Sequence, residues 1–365
     1  MIHPQYMFSE ERKRLFELSF QVLLDPALEH WKYAVMQGLH HAIYGADGEM
    51  LAHYAGFPRR MVGLNSHLVD ETRSVPTEGN SAKEFAVLQI GDVMVHPAHR
   101  GVLKRRGLFF SVSEEFIEHY VGAFVPKERR VFRWIYGFPN DRHLRIGQHL
   151  GLYSPVGAMY ELSWRTTNGL PDTQDAQQLT IDSQRLDADF FEHNRKAFDD
   201  WSFGQLEQLA QGLGVCLGRK HADWWHCRFL SWPSYEVCGY FAQDASKGVM
   251  GAPGSSLMAR LKGLAAIRKR AEDDRIVLEI LDCLADYSLW PAILFAILHS
   301  AQSDGADEVR CWVSEPAAVF LKDTSRLAQV HCEALRLPFC LASGAWALPA
   351  IDKQLWVMGG DTDFR

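Results

Sequence analysis

The pattern of apolar and polar positions is sharpest between Ala86 and Tyr120, AVLQIGDVMVHPAHRGVLKRRGLFFSVSEEFIEHY. Val87, Leu88, Ile90, Val93, Met94 and Val95 put apolar side chains on both faces of an extended segment, as a strand inside a sheet requires. Pro97 ends it. From Leu108 the period becomes helical, with Leu108, Val112, Phe116 and Tyr120 spaced by four and Glu114, Glu115 and Glu118 turned elsewhere. A strand, a loop and an amphipathic helix are therefore expected in that order.

The same reading organises the rest of the first half. Residues 9–24 predict a helix with Ser9 as N-cap and Glu10 and Glu11 in its first turn, most simply a packing element. Two extended runs then flank Ala46-Asp47-Gly48-Glu49, which carries a hairpin turn. Val69 to Lys83 is rich in Thr, Ser, Gly and Pro and reads as a loop. Val131 to Phe138 predicts a second buried strand, Asp141 to Leu150 a helix closing on Gly151, and Tyr153 to Trp164 a further strand. The polar residues 166–180 divide the chain into an expected first domain, 1–165, and a second, 181–365.

The second domain repeats the order of the first. Trp31-Lys32-Tyr33 is echoed at Trp225 to Phe229, and Ile90-Gly91-Asp92-Val93-Met94 at Ile280-Leu281-Asp282-Cys283-Leu284. A helix (Leu289 to Ser303), a strand (Glu308 to Val313), a helix (Ala317 to Ala328) and a terminal strand around Leu355 to Met358 follow. Trp31 and Trp225 read as packing residues.

Composition narrows the functional classes. With 47% hydrophobic and 23% charged residues the chain is of ordinary globular make-up, and a formal charge of -7 argues against nucleic acid as a partner. The charged N-terminal stretch does not read as a secretory signal, and no apolar run reaches the roughly 18 residues that span a bilayer, so no membrane partner is expected. All seven cysteines fall in the second half without C-x-x-C spacing and read as reduced thiols of a cytoplasmic protein. His96, His99, His143 and His149 lack a third ligand at metal spacing, so no metal is expected, although one of them is placed to move a proton.

The chemistry is concentrated between strand and helix, where Arg100, Gly101, Lys104, Arg105, Arg106 and Gly107 precede a helix start. Free backbone N–H groups, the positive end of a helix dipole and several cations together suit a pyrophosphate. The counterpart in the second half, Ala285 to Pro291, has neither glycine nor cation. Arg129, Arg130 and Arg133 offer either a further phosphate contact or a solvated basic face. Gly91, inside a bulky strand, is expected to mark a bulge or a close approach of another backbone.

Val95, Pro97, Arg100, Gly101 and Gly107 resemble motif A of the GNAT acetyltransferases, V-x-P-x-x-R-G-x-G-x-G or A. Gly137-Phe138-Pro139-Asn140 with Leu150-Gly151-Leu152 resembles the segment that follows in many bacterial members. The resemblance implies an α/β (α+β) fold of two GNAT-like domains, each a mixed, mostly antiparallel twisted sheet flanked by helices with splayed central strands, the second domain degenerate. It implies acetyl-CoA, or another acyl-CoA, as co-substrate, bound by Val93, Met94, Val95, Arg100, Gly101, Lys104, Arg105, Arg106, Gly107, Leu108, Phe109 and Asn140. The implied reaction is direct N-acyl transfer, most simply N-acetylation, to a small-molecule amine, with Asp92 as the candidate general base, although its echo at Asp282 favours a structural carboxylate; a homodimer stays open. A free alkyl amine is neutral in only about one molecule in 2500 at pH 7, a deficit of roughly 4.6 kcal/mol that a base would offset. The loop is longer than the motif, Phe109 replaces its last small residue, and Gly147 stands where many members carry a tyrosine acid. A non-catalytic acyl-CoA sensor is therefore an alternative. A Fem-type aminoacyl transferase is another, against which the basic loop argues.

Overall fold

The computed structural model describes residues 9–64, 82–100, 107–121, 132, 134–166, 181–242, 257–324, 330–342 and 354–362. Gly101, Lys104, Arg105, Arg106, Arg129, Arg130, Arg133 and all but Thr166 of the expected linker lie outside these residues. The chain forms two compact units that are not consecutive stretches. The first draws on Met1–Met61, Glu84–Gly157 and Arg336–Ala350, the second on Val62–Lys83, Ala158–Leu335 and Ile351–Arg365.

In the first unit α1 (Glu10–Phe20) is capped by the Ser9 side chain, which accepts the Arg12 N–H. It ends four residues before the expected Leu24: Gln21 turns left-handed (φ 59°), and Asp25 caps a new helix, α2 (Pro26–His30). That helix widens at once into a π-helical turn, Trp31–Val35. β1 (Leu39–Tyr44) and β2 (Met50–Leu64) form the expected antiparallel hairpin, with Gly48 at φ 83° in its turn. β3 (Ala82–Val95) lies beside β2 and already contains Ala82 and Lys83, which the sequence pattern assigns to the loop. α3 (Leu108–Tyr120) then crosses over to β4 (Ile135–Gly137), parallel to β3. α4 (Asp141–His149) and its left-handed Gly151 (φ 73°) lead into β5 (Tyr153–Arg165).

The sheet of this unit is completed from far away in sequence. β12 (Val330–Ala342) pairs antiparallel with β4 through Cys340–Gly137, Leu341–Tyr136 and Ala342–Ile135. Three-residue β4 is thus paired on both edges, as a short apolar strand needs if its peptide groups are to be satisfied. Behind it Val112 and Phe116 of α3, Tyr54, Leu88, Ile135 and Leu152 form the core.

The second unit holds β6 (Ile181–Leu186), α5 (Ala188–Leu213), β7 (Cys216–Gly218), α6 (Ala222–Trp225), β8 (Glu236–Ala242), α7 (Leu257–Arg260), β9 (Leu261–Glu272) and β10 (Arg275–Ala285). α8 (Trp290–Ser303), β11 (Glu308–Ser314), α9 (Glu315–Thr324) and β13 (Leu355–Trp356) complete it. α6 also runs into a π-helical turn, His226–Leu230, and Trp225 is fully buried as expected. β6, β8, β9 and β10 pair antiparallel in that order, and β11 is parallel to β10 and antiparallel to β5. The architecture is α/β, a mixed, mostly antiparallel twisted sheet flanked by helices.

Phe116 is fully buried against Tyr54, with ring centroids 5.0 Å apart. Phe116→Ala is expected to cost about 3–5 kcal/mol by cavity formation, read as an earlier urea transition by tryptophan fluorescence; a loss below about 1 kcal/mol would contradict this packing of α3.

Candidate functional site

β3 and β4 share a ladder only at Leu88–Ile135 and Gln89–Tyr136. β4 then ends at Gly137 while β3 runs on to Val95, so among the described residues its edge from Ile90 onward has no partner in β4. The strands part at a tight point: a β-carbon on Gly137 would stand 2.9 Å from Ile90 Cβ. Only glycine lets the backbones meet there before they diverge.

The backbone irregularity of β3 lies at Asp92, one residue after Gly91. Asp92, not Gly91, is left-handed, with φ 49° in the middle of β3. A non-glycine residue in that region costs about 1–2 kcal/mol, and it persists only where its surroundings over-determine it. Here they do. The Asp92 carboxylate accepts from Lys32 Nζ at 2.6 Å and from the Tyr33 hydroxyl at 3.0 Å, and its carbonyl accepts from His53 Nδ1 at 2.9 Å. Both Lys32 and Tyr33 belong to the π-helical turn, whose wider winding aims two consecutive side chains at one carboxylate. The Arg12 guanidinium lies 3.9 Å from the Tyr33 ring centre and is itself paired with buried Glu29.

This cluster sets the protonation states. Burial alone would raise the Asp92 carboxyl, but the Lys32 ammonium and its hydrogen bond, helped by His53 and Tyr33, hold it below the usual range. Burial pushes His53 down to about 3, so its ring is neutral. Because a carbonyl only accepts, Nδ1 carries the proton, and Nε2 is a buried lone pair with no partner among the described residues.

α3 starts openly. Gly107 is its N-cap and, among the described residues, no side-chain oxygen covers its first N–H groups, whereas Ser9, Asp25, Asn140 and Asp187 cap their helices through side chains. Asn140 is spent on the His143 N–H. Arg100 donates from Nε to Val95 O at 2.8 Å and from its terminal nitrogen to Ser19 O at 3.2 Å, tying the end of β3 to α1. His143 is pushed down to about 4, first by burial and then by Arg100 and Arg142. Arg142, unremarked in the sequence, thus adds a cation near Arg100 and the α4 N-terminus.

The predicted residues divide by face. Val93, Val95, Leu108 and Phe109 pack on the core beneath α3, whereas Met94 is buried with Leu15 and Met50, leaving only its backbone for a ligand. Phe109 lies 5.1 Å from the His143 ring and 6.2 Å from that of Tyr153. Gly147 is a seat: a β-carbon there would stand 2.1 Å from Tyr153 Cδ2. The Tyr153 ring fills that space, and its hydroxyl meets that of Tyr54 at 3.1 Å, both phenols raised first by burial. Among the described residues no group of side chains is arranged to hold a metal ion, and no helix is long and apolar enough to cross a membrane.

The chain has the fold of the GCN5-related N-acetyltransferases. Three particular structures share it. A GCN5-related N-acetyltransferase of Anabaena variabilis has a TM-score of 0.57 at 13% identity, covering 91% of this chain and 70% of that one. A probable N-acyltransferase of Enterococcus faecalis, described as a conserved protein of unknown function, has 0.58 at 13%, covering 92% and 69%. A GCN5-related N-acetyltransferase of Kribbella flavida has 0.56 at 16%, again covering 92% and 69%. At these identities the likeness is one of fold. No protein-family model matches the chain, and no curated protein matches it in sequence.

Lys32→Met would leave the Asp92 carboxylate buried without its cation, since the Asp92 side chain is only 9% exposed. A loss of about 3–5 kcal/mol at pH 7 is expected, largely recovered in Lys32→Met/Asp92→Asn. Because the folded carboxyl lies below its unfolded value of about 3.9, its contribution is full above that pH and lost as pH falls through the lower folded value. Urea titrations between pH 2 and 7 should show this acid limb in the wild type and not in the double variant. A single variant as stable as the wild type would refute the clamp.

Proposed function

We propose that the protein is an acyl-CoA-dependent N-acyltransferase whose first unit binds the donor between β3 and β4 and passes its acyl group, most simply acetyl, directly to a primary amine of a small molecule. The observation that carries this reading is the opened strand pair with its pinned left-handed Asp92, together with a helix start that no side chain among the described residues caps. We read the second unit as a second, degenerate copy of the fold that serves no donor, and the protein as cytoplasmic, since all seven cysteines are free.

Each part has a physical role. The backbone of β3 from Val93 to Val95 would pair with the pantetheine amides, and a strand N–H at the Asp92 irregularity would face the thioester oxygen as charge develops there. The N–H groups of Leu108 and Phe109, with Gly101, Lys104, Arg105 and Arg106 of the loop, would hold the pyrophosphate. Arg100, bonded to Val95 O and Ser19 O, would act by holding the end of β3, and Arg142 adds positive field. A thiol leaves as thiolate within about two pH units of neutrality, so a missing tyrosine acid forfeits only roughly 2 kcal/mol. Asp92 stays the candidate base in name only, because its lone pairs face Lys32 and Tyr33. That same observation favours a second reading, an acyl-CoA-binding module without turnover.

Calorimetric titration with CoA should give saturable binding, weakened more than 100-fold by Gly107→Glu, and a thiol-release assay over an amine panel should show turnover. No CoA binding refutes both readings, and binding without turnover selects the second. For an active amine, log kcat/KM is expected to rise with unit slope up to about pH 9, since deprotonation then occurs in solution. A plateau from about pH 5 would restore Asp92 as base.

A further inference from the structure

The second unit contains a corresponding parting of strands. The parallel ladder of β10 and β11 runs from Val277–Glu308 to Ile280–Cys311, and both strands continue, to Ala285 and Ser314. A register shift on β10 between Ile280 and Asp282 marks the point, as Asp92 does in the first unit. Here the chain itself lies between the strands. Ser314 N–H donates to Val357 O at 2.9 Å, and Val313 bridges Met358 in antiparallel fashion. Gly359 touches both walls: a β-carbon on it would stand 3.8 Å from Trp312 O on β11 and 3.9 Å from Leu281 O on β10. At Gly360 the distance to Leu281 O would be 2.9 Å, and 2.7 Å to the Phe229 ring.

Buried charges hold the insert. Lys220 Nζ donates to Asp282 at 2.6 Å and to Asp361 at 2.8 Å, and Arg228 donates to Gly360 O and Thr362 O at 2.8 Å each. The Lys220 side chain is 4% exposed, that of Asp282 0% and that of Asp361 4%. Just upstream, Leu355 and Trp356 pair with Cys216 and Leu217 of β7. Val357 and Met358 present to the edge of β11 the same kind of amide groups as a pantetheine arm would, a single 3-10 turn, Gly359–Asp361, follows them, and the segment, being tethered, competes at an effective concentration in the millimolar range.

We infer that residues 357–361 are an internal substitute for a pantetheine arm, closing the second unit's strand gap so that each chain takes one acyl-CoA. The inference rests on the acyl-CoA reading of the first unit. Amide exchange at Asp361 and Thr362, whose N–H groups bond Met358 O and Gly359 O, tests the closure. Gly360→Ala should speed it at least tenfold, while Gly359→Ala, whose new carbon meets its nearest atom at 3.4 Å, should leave it within threefold. Equal exchange in the two variants overturns the closure. Should Gly360→Ala fail to fold, Asp361→Asn, which leaves the Lys220–Asp282 pair in place, is read in the same way, with the same tenfold acceleration expected. In calorimetry one equivalent of CoA per chain supports the inference and two overturn it. Zero overturns the reading of the first unit and the stoichiometry with it.

Discussion

A left-handed aspartate in the middle of a strand is unstable unless something holds it, and in this protein the holding is done by an ammonium 2.6 Å from its carboxylate. Much else depends on that pair. The π-helical turn exists where Lys32 and Tyr33 must both reach Asp92; Arg12 and Glu29 enclose the phenol from behind; His53 holds the carbonyl. Together these groups fix the direction of the peptide that follows, and hence which way β3 presents its free edge. Taking ions out of water is unfavourable, so such a cluster does little for net stability against an apolar alternative. What it secures is one conformation in place of several, which a site built from backbone groups requires.

The fold was legible wherever apolar spacing reported burial directly. β3, α3, the β1–β2 hairpin, α4 with Gly151 and the crossover of the second unit all follow from period and punctuation. The site was half legible. Gly107 and the helix behind it could be read, because a glycine set just before an apolar period of four marks where a helix begins. Lys32, His53 and Tyr153 could not: each is an ordinary residue in an ordinary run, and its role comes from a contact with a residue 60, 39 or 6 positions away. Gly91 was the natural guess for the bulge, since the steric rule favours glycine, but side-chain bonds to Asp92 override that rule. β12 was missed because Glu333, Arg336 and Pro338 interrupt its alternation.

The two units solve the same geometric problem in different ways. Parting two parallel strands exposes peptide groups that must find partners. In the first unit β4 ends before that edge does, whereas in the second the chain's own Val357 and Met358 satisfy it. The buried carboxylates follow suit. The Asp92 carboxylate has two donors, one of them a cation of its own, whereas Lys220 is shared between Asp282 and Asp361, so that the inserted segment itself becomes part of the ionic core.

The pairing of β4 with Cys340–Ala342 also bears on how the protein is made. A ribosome that has finished Gly137 must add about 200 more residues before the strand that covers β4 exists, which at ordinary rates takes roughly 10–40 s. Throughout that interval β4 lacks its partner on that edge, and the first unit waits on residues that follow most of the second. Synthesis and assembly of the first unit are therefore out of step, and a chain cut short after the first 165 residues would hold every predicted cofactor contact yet lack a wall of the sheet that carries them.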